Sequence, residues 1–295
     1  MTSFPRSAPG SQARGLFLIH VAVFLFGFAG LFGKFLTCSS LYIVLGRTFF
    51  AALALYAGAR FLPGTRLGGF RRRDMAFFIV QGILLGFHWV TFFLSIQVSS
   101  VAIGLVTFSS FPLFVTVMEP FFFKEPLKGS DVITALAVFA GIVLVVPDLD
   151  LSNRDTLGCI YGILSGLSFA VLGLVNRRNA ARSAPAAVAF YQNAFAALFL
   201  ILPILWAGPA LPEPGDLPVL IILGVLFTAV AHTCFISGLT TVRVQTASVI
   251  AGLEPVYGII FAFFLLNEVP RLQTLAGGVL IIGTTVAAGI LSSRR

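Results

Sequence analysis

Residues 101–125, VAIGLVTFSSFPLFVTVMEPFFFKE, and residues 244–268, VQTASVIAGLEPVYGIIFAFFLLNE, are two writings of one pattern set 143 positions apart. Val106 falls on Val249, Pro112 on Pro255 and Glu125 on Glu268. Each is an apolar run of helix length, interrupted by a proline and closed by a carboxylate 13 residues later. Proline lacks the N–H that a helix interior uses, and its ring crowds the carbonyl one turn back, so each run reads as a bent or broken helix. The match extends outward from these stretches. At the same offset Gly15, Phe26, Gly30 and Leu31 fall on Gly158, Phe169, Gly173 and Leu174, Lys34 falls on Arg177, and Phe92 falls on Phe235. At an offset of 145, Phe50-Ala51-Ala52-Leu53 falls on Phe195-Ala196-Ala197-Leu198, as a loop two residues longer would require. Apolar helices coincide by chance, so the paired prolines and glutamates carry most of the weight.

Composition places the chain in a membrane. Of its 295 residues 58% are hydrophobic and 10% charged, against about 25% charged in a soluble domain. A helix needs roughly 20 apolar residues to cross the hydrocarbon core. Ten spans fit: 15–36, 41–62, 74–97, 101–122, 129–147, 157–177, 185–206, 217–239, 244–266 and 272–291. The first is too long for the apolar core of a secretory signal and has a counterpart later in the chain, so it reads as a retained helix. The organisation is a tail at 1–14, a first five-helix repeat at 15–147, a connecting loop at 148–156, a second repeat at 157–291 and a tail at 292–295. Five is odd, so the second repeat starts on the opposite face. The fold class is therefore an all-α integral membrane protein of ten transmembrane helices in two inverted five-helix repeats. Such halves can close a pathway alternately on either side.

Basic residues orient the bundle. With the N-terminus inside, fifteen of them, among them Arg71–Arg73, fall in cytoplasmic segments, whereas Lys34, Arg154 and Arg271 lie opposite and Arg47 lies within a span. Insertion retains basic loops in the cytoplasm, so both termini are expected there, in the inner (plasma) membrane. The net charge of +8 is topogenic, and no nucleic-acid partner is implied. Cys38, Cys159 and Cys234 lack any paired spacing, so neither a metal site nor a disulfide framework is expected. No cofactor is implied, and oligomeric state is not legible.

The paired halves, the Phe-Pro112 and Glu254-Pro255 sites, Glu125 and Glu268, Arg47 in the second helix and the glycine-rich last helix of each half resemble the drug/metabolite transporter superfamily. Within it, the chain is most similar to the EamA-type ten-helix members. The resemblance covers essentially the whole chain and implies a carrier of amino acids, nucleosides, sugars or drugs, often exported.

An ionised side chain at the bilayer centre costs about 3 kcal/mol or more, so polar groups within spans mark function or a paired structural role. Glu254, near the middle of the ninth span and directly before Pro255, is a candidate proton carrier or partner for a substrate ammonium. The alternative is a carboxyl held by a neighbouring helix. Gln81, His88, Phe92 and Ser95 recur at spacings of seven, four and three, which puts them in one helical stripe beside Trp89, a candidate cavity wall. His88 is the second candidate for proton coupling. His232 and Phe235 lie in the repeat-related helix. Tyr161, Ser165 and Ser168 form a hydroxyl face on the sixth helix, and Tyr257 follows Glu254 by one turn. Gly158, Gly162 and Gly166, at spacing four, read as a small-residue packing surface. Arg47, about six residues below the outer end of its helix, is expected to snorkel to the interface or bind backbone carbonyls, with substrate contact as the alternative. Glu125 and Glu268 are expected to cap the helices that follow them or to pair with Lys128 and Arg271.

These readings converge on a secondary transporter of a small organic solute, acting by alternating access and exporting amino acids or related amphipathic metabolites. A multidrug or metabolite permease without proton coupling is the alternative. An intramembrane enzyme is disfavoured because H-E-x-x-H, G-x-S-G, paired intramembrane aspartates and a P-loop are absent from the sequence. A channel would not need the inverted repeat.

Overall fold

The computed structural model describes residues 9–61, 67–68, 72–123, 129–146, 150–179, 185–239, 241–242, 247 and 250–293. Among these, every regular element is helical. That is the expected outcome where no water can satisfy backbone N–H and C=O groups, since a helix satisfies them within itself. Among the described residues seven helices are long and apolar enough to cross a membrane, and three shorter apolar helices occupy Val132–Val145, Glu254–Leu266 and Leu272–Ala288.

The first half comprises α1 (Pro9–Ala29), the single turn α2 (Phe32–Phe35), α3 (Ser40–Phe61), α4 (Arg72–Val98), α5 (Val101–Phe108), α6 (Phe111–Phe123) and α7 (Gly129–Val145). The second comprises α8 (Arg154–Asn179), α9 (Pro185–Ala207), α10 (Asp216–Gly224), a π-helical segment (Val225–Val230), α11 (Ala231–Leu239), α12 (Glu254–Leu266) and α13 (Leu272–Ser293). Helix α1 starts six residues before the position expected from the apolar run.

Helices α6 and α12 are each 13 residues long, and their first residues, 111 and 254, differ by the repeat offset of 143. Both follow a two-residue interruption, Ser109-Ser110 and Gly252-Leu253. Pro112 and Pro255 are the second residues of the new helices rather than kinks inside continuous ones. The missing N–H costs nothing in a first turn, where no carbonyl of the same helix would receive it.

The two halves pack mainly on each other, and the contacts exchange under the repeat. Helix α4 lies against α8 as α11 lies against α1, α4 against α9 as α10 against α3, and α6 against α8 as α12 against α1. Helices α3 and α9 pair directly, as do α7 and α13. The approaches to facing backbone follow the same rule. A Cβ on Gly15 would lie 3.3 Å from the Gly238 carbonyl oxygen, and one on the equivalent Gly158 would lie 3.3 Å from that of Ser95. Along α8 the small-residue ladder meets α4 and α5. A Cβ on Gly158 would lie 2.5 Å from Ser99 Cβ, one on Gly162 2.8 Å from Thr107 Cβ, and one on Gly166 2.9 Å from the Phe108 carbonyl oxygen.

The π-helical segment breaks this symmetry by one residue. Gly82 packs on Phe195 and Ala196, whereas Gly224 packs on Phe50 and Ala51. These glycines are 142 positions apart, as are Asp74 and Asp216, while beyond the π turn Phe92 matches Phe235 at 143. One inserted residue turns the following helix by roughly 100° relative to a continuous α-helix. The bulge is stabilised where it forms, because the Thr228 hydroxyl donates to the Leu223 carbonyl five residues earlier at 2.8 Å. Such bulges concentrate at functional sites.

Candidate functional site

The buried centre is assembled around Arg47 of α3. Arg47 is 3% exposed, so it does not snorkel to the interface. Its Nε donates to Thr228 Oγ1 at 3.1 Å, and its guanidinium carbon lies 3.6 Å from the centre of the Trp89 ring. The physical reason is local. The π turn presents Thr228 as an acceptor and α4 presents an indole face, and a desolvated guanidinium on tryptophan gains about 2 kcal/mol. These partners hold the side chain inward. Glu254, the first residue of α12, is within electrostatic reach of Arg47. Among the described residues no ion pair joins the two, and the Glu254 carboxylate accepts no hydrogen bond.

His88 joins α4 to α8. Its Nδ1 lies 3.1 Å from the Ser165 carbonyl oxygen and 2.8 Å from Ser165 Oγ, while that hydroxyl also reaches the His88 carbonyl at 3.1 Å. A carbonyl only accepts, so this contact calls for a hydrogen on Nδ1. The ring packs between Phe108 and Phe169, with centroids at 5.2 and 5.0 Å. Phe92 stands edge-on to Phe108 at 5.7 Å. His232 of α11 lies 5.5 Å from Trp89 and edge-on to Phe26 at 5.4 Å.

The structure therefore gathers His88, Trp89, Phe92, Ser165 and His232 around one aromatic centre, with the Arg47 guanidinium against the Trp89 ring. Tyr257, one turn beyond Glu254, packs edge-on against Phe24 at 5.6 Å, and its Cβ lies where Gly27 lets α1 approach. Tyr161 is half-buried one turn before Ser165, without a hydrogen-bond or ring partner among the described residues. The stripe of Gln81, His88, Phe92 and Ser95 does not face an open cavity in this conformation. All four are buried: Phe108 and Phe169, from α5 and α8, close on His88 and Phe108 also meets Phe92, while Gln81 donates to Asn176 and Ser95 to the Gly158 carbonyl at 2.6 Å. An apolar groove of about 260 Å³ lies elsewhere, between α6 and α7, lined by Leu113, Val117, Leu136 and Phe139.

Toward the other end of α4, Gln81 and Gln192 both donate to Asn176 Oδ1, at 2.6 and 2.8 Å. Gln192 is the counterpart of Arg47 at the offset of 145. Among the described residues the side-chain oxygens of Gln81 and Asn193 are buried without a partner.

At the opposite end, Glu268 accepts from the backbone N–H groups of Val101 and Ala102, each at 3.0 Å. It thus caps α5 of the other half and not the helix that follows it, because the repeat packing brings the α12–α13 loop over the start of α5. Ser100 completes the cap, accepting from Ile103 N–H at 3.1 Å. Lys34 donates to the Ser99 carbonyl at 2.7 Å, and Arg271 pairs with Asp155 at 3.1 Å rather than with Glu268. Glu125 and Lys128 lie outside the described residues. In the α2–α3 turn, burial and the neighbouring Asp216 push the Cys38 thiol up to about 12.

Arg47 and Thr228 are the residues that reading the sequence undervalued. The one signal for Arg47 is that its position is polar in both halves, Gln192 standing at the offset of 145, whereas nothing in the local pattern marks Thr228.

Two repeated helical halves, packed on each other around a buried polar and aromatic centre, make the architecture of a multi-pass membrane carrier. The pattern of the EamA-like transporter family matches residues 13–146 and 156–289, and the chain belongs to that family of the drug/metabolite transporter superfamily. It is a transporter, not an enzyme. It is 27% identical over 214 residues to an S-adenosylmethionine uptake transporter of Rickettsia conorii, covering 70% of this chain and 69% of the relative. It is 25% identical over 279 residues to the threonine/homoserine exporter RhtA of Escherichia coli, covering 92% of each. An uncharacterized transporter of Bacillus subtilis, YxxF, is 22% identical over 288 residues, covering 95% of this chain and 91% of its own. A solved crystal structure superposes with a TM-score of 0.67 over 98% of each chain at 19% identity, which establishes the shared fold.

Proposed function

We propose that the protein is a secondary transporter of α-amino acids or solutes that carry an α-amino-acid head. In this reading it has ten spans in two inverted halves, resides in the plasma membrane with both termini cytoplasmic, and works by alternating access. The observation that carries the reading is Glu254. It is a half-buried carboxylate with no hydrogen-bond partner among the described residues, placed where α12 begins anew between the halves. A carboxylate held in this way is available to a substrate ammonium or to a proton. Support for the substrate class comes from chemistry common to the relatives' cargoes, since S-adenosylmethionine, threonine and homoserine are all α-amino acids. The exporter matched over 92% of each chain supports outward movement. Trp89, Phe92, His88, His232, Tyr161, Ser165 and Tyr257 are the proposed surroundings of the solute once the centre opens.

Proteoliposomes loaded with a panel of amino acids, with and without an imposed pH gradient, test this reading. Transport that follows the gradient and is lost in Glu254→Gln supports it. Transport by the variant equal to that of the parent removes Glu254 from the mechanism, and indifference of the parent to the gradient removes proton coupling.

A further inference from the structure

A guanidinium carries five N–H donors in a planar fork. In Arg47 one of them, at Nε, is used by Thr228, and the ring face of Trp89 lies beside the guanidinium. The two terminal amino groups have no hydrogen-bond partner among the described residues; the residue is 3% exposed, and these nitrogens, which are not among the fully enclosed unpartnered atoms, keep part of that small access. A buried cation whose paired donors lack partners is unfavourable unless an anion arrives to meet them. Thr228 and Trp89 fix the plane of the fork, which leaves its end-on edge as the docking side. Two parallel N–H groups on such an edge match the two oxygens of a carboxylate.

We infer that Arg47 is the anchor for the substrate's carboxylate, held for that purpose by Thr228 and Trp89. The inference rests on the amino-acid reading above and adds the second half of the head group. A zwitterion then places its carboxylate on Arg47 and its ammonium on Glu254. The two protein charges lie within electrostatic reach of each other but do not form an ion pair. The loaded site carries no net charge, so it crosses between the two closures without burying an unpaired ion. The anion class follows from the count of permanently charged bases, the imidazoles of His88 and His232 being packed among rings. At the repeat-related position stands Gln192, neutral and already engaged with Asn176, so the site has one guanidinium. That suits a monocarboxylate and not a phosphate dianion, which would call for further bases.

The test measures ligand-induced thermal stabilisation of the purified full-length protein in detergent. The probes are homoserine, 4-hydroxybutyrate, which lacks the amine, and 3-aminopropanol, which lacks the carboxylate. Parent, Arg47→Lys and Arg47→Gln are compared, with monodispersity confirming that each variant is folded. The parent is expected to be stabilised by homoserine and, at higher concentration, by 4-hydroxybutyrate. Arg47→Gln is expected to weaken both by about 30-fold or more, as truncating one partner of a buried charged pair does, while changing the response to 3-aminopropanol less than about threefold. Arg47→Lys keeps the charge without the fork and is expected to fall between. The inference is overturned if Arg47→Gln, or Arg47→Lys should the glutamine variant not fold, binds both carboxylates like the parent. It is also overturned if the variants weaken the amine as much as the acids, or if neither carboxylate stabilises the parent. Stabilisation by 4-hydroxybutyrate with no added response to homoserine would leave the anchor standing and remove the amino-acid reading instead.

Discussion

Replacing Glu268 by Gln tests whether the two halves are tied together at the start of α5. The carboxylate accepts from the N–H groups of Val101 and Ala102 at 3.0 Å each, across 167 and 166 residues of sequence. A hydrogen bond to a charged group contributes about 1.5–3 kcal/mol where water is excluded, and loss of a helix cap costs about 0.5–2 kcal/mol. Glu268 is only partly buried, so the lower part of both ranges applies. The glutamine amide oxygen can keep one of the bonds, whereas its NH2 group turns a donor toward the other N–H. Ser100 retains its own cap on Ile103. The expected loss is about 1–2 kcal/mol, which for a chain of this size is a fall of about 2–6 °C in melting temperature. The assay is thermal denaturation of the purified protein in one detergent, with Arg271→Gln as the comparison. Arg271 is 60% exposed in its pair with Asp155, and such a pair contributes about 0–1 kcal/mol, so that variant should melt close to the parent. The cap argument is refuted if Glu268→Gln melts with the parent, or if Arg271→Gln falls as far.

Three further substitutions probe other parts of the fold. Thr228→Val removes the acceptor for Arg47 and the bond to Leu223 at nearly constant volume, and should destabilise by about 1–3 kcal/mol. Thr228→Ser should stay near the parent in the same melt, and equal behaviour of the two variants would show that the hydroxyl does not matter. Gly27→Ala would put a Cβ 2.8 Å from the Glu254 carbonyl oxygen and 3.1 Å from Gly258 N, backbone that cannot step aside cheaply, whereas Gly173 has open space around it. Yield of monodisperse protein should drop for Gly27→Ala and hold for Gly173→Ala, and the reverse order would contradict the α1–α12 packing. A thiol held near 12 is ionised at pH 7 to about one part in 10⁵. A variant keeping only Cys38 should therefore resist maleimide until it is unfolded, and rapid labelling of the native protein would exclude the buried placement beside Asp216.

Much of the fold is legible in the sequence, because its causes are local. An apolar run of helix length in a medium without water can only be helical, and a proline admits a new first turn but not a continuous interior. The restarts before Pro112 and Pro255 follow from those two facts. The offset of 143 marked the two halves because paired prolines and glutamates rarely coincide by chance. Helical spacing alone also placed His88 and Phe92 in one stripe of α4, with Trp89 as the adjacent residue, whereas which helices they face came from the packing: His88 meets Ser165 of α8 and Trp89 meets Arg47 of α3.

What the chain alone left open depends on which helix faces which. The π turn changes the repeat offset by one residue, and outside apolar identities such as Ile79 with Ile221 only Asp74 with Asp216 and Gly82 with Gly224 record it in that stretch of the sequence, too few to stand out. Arg47 has a stem long enough to reach the interface or to fold inward, and the choice was made by Thr228 and Trp89, which approach it from other helices. Glu268 caps α5 and not α13 because inter-half packing, and not chain proximity, brings a pair of free N–H groups to its carboxylate. The centre is closed because Phe108 and Phe169, from two more helices, fill it against His88. The sequence by itself determined the helices, their repeat and the polar positions within them. Only the tertiary structure decided which of those positions meet, because side-chain partners come from segments whose separation along the chain carries no periodic signal.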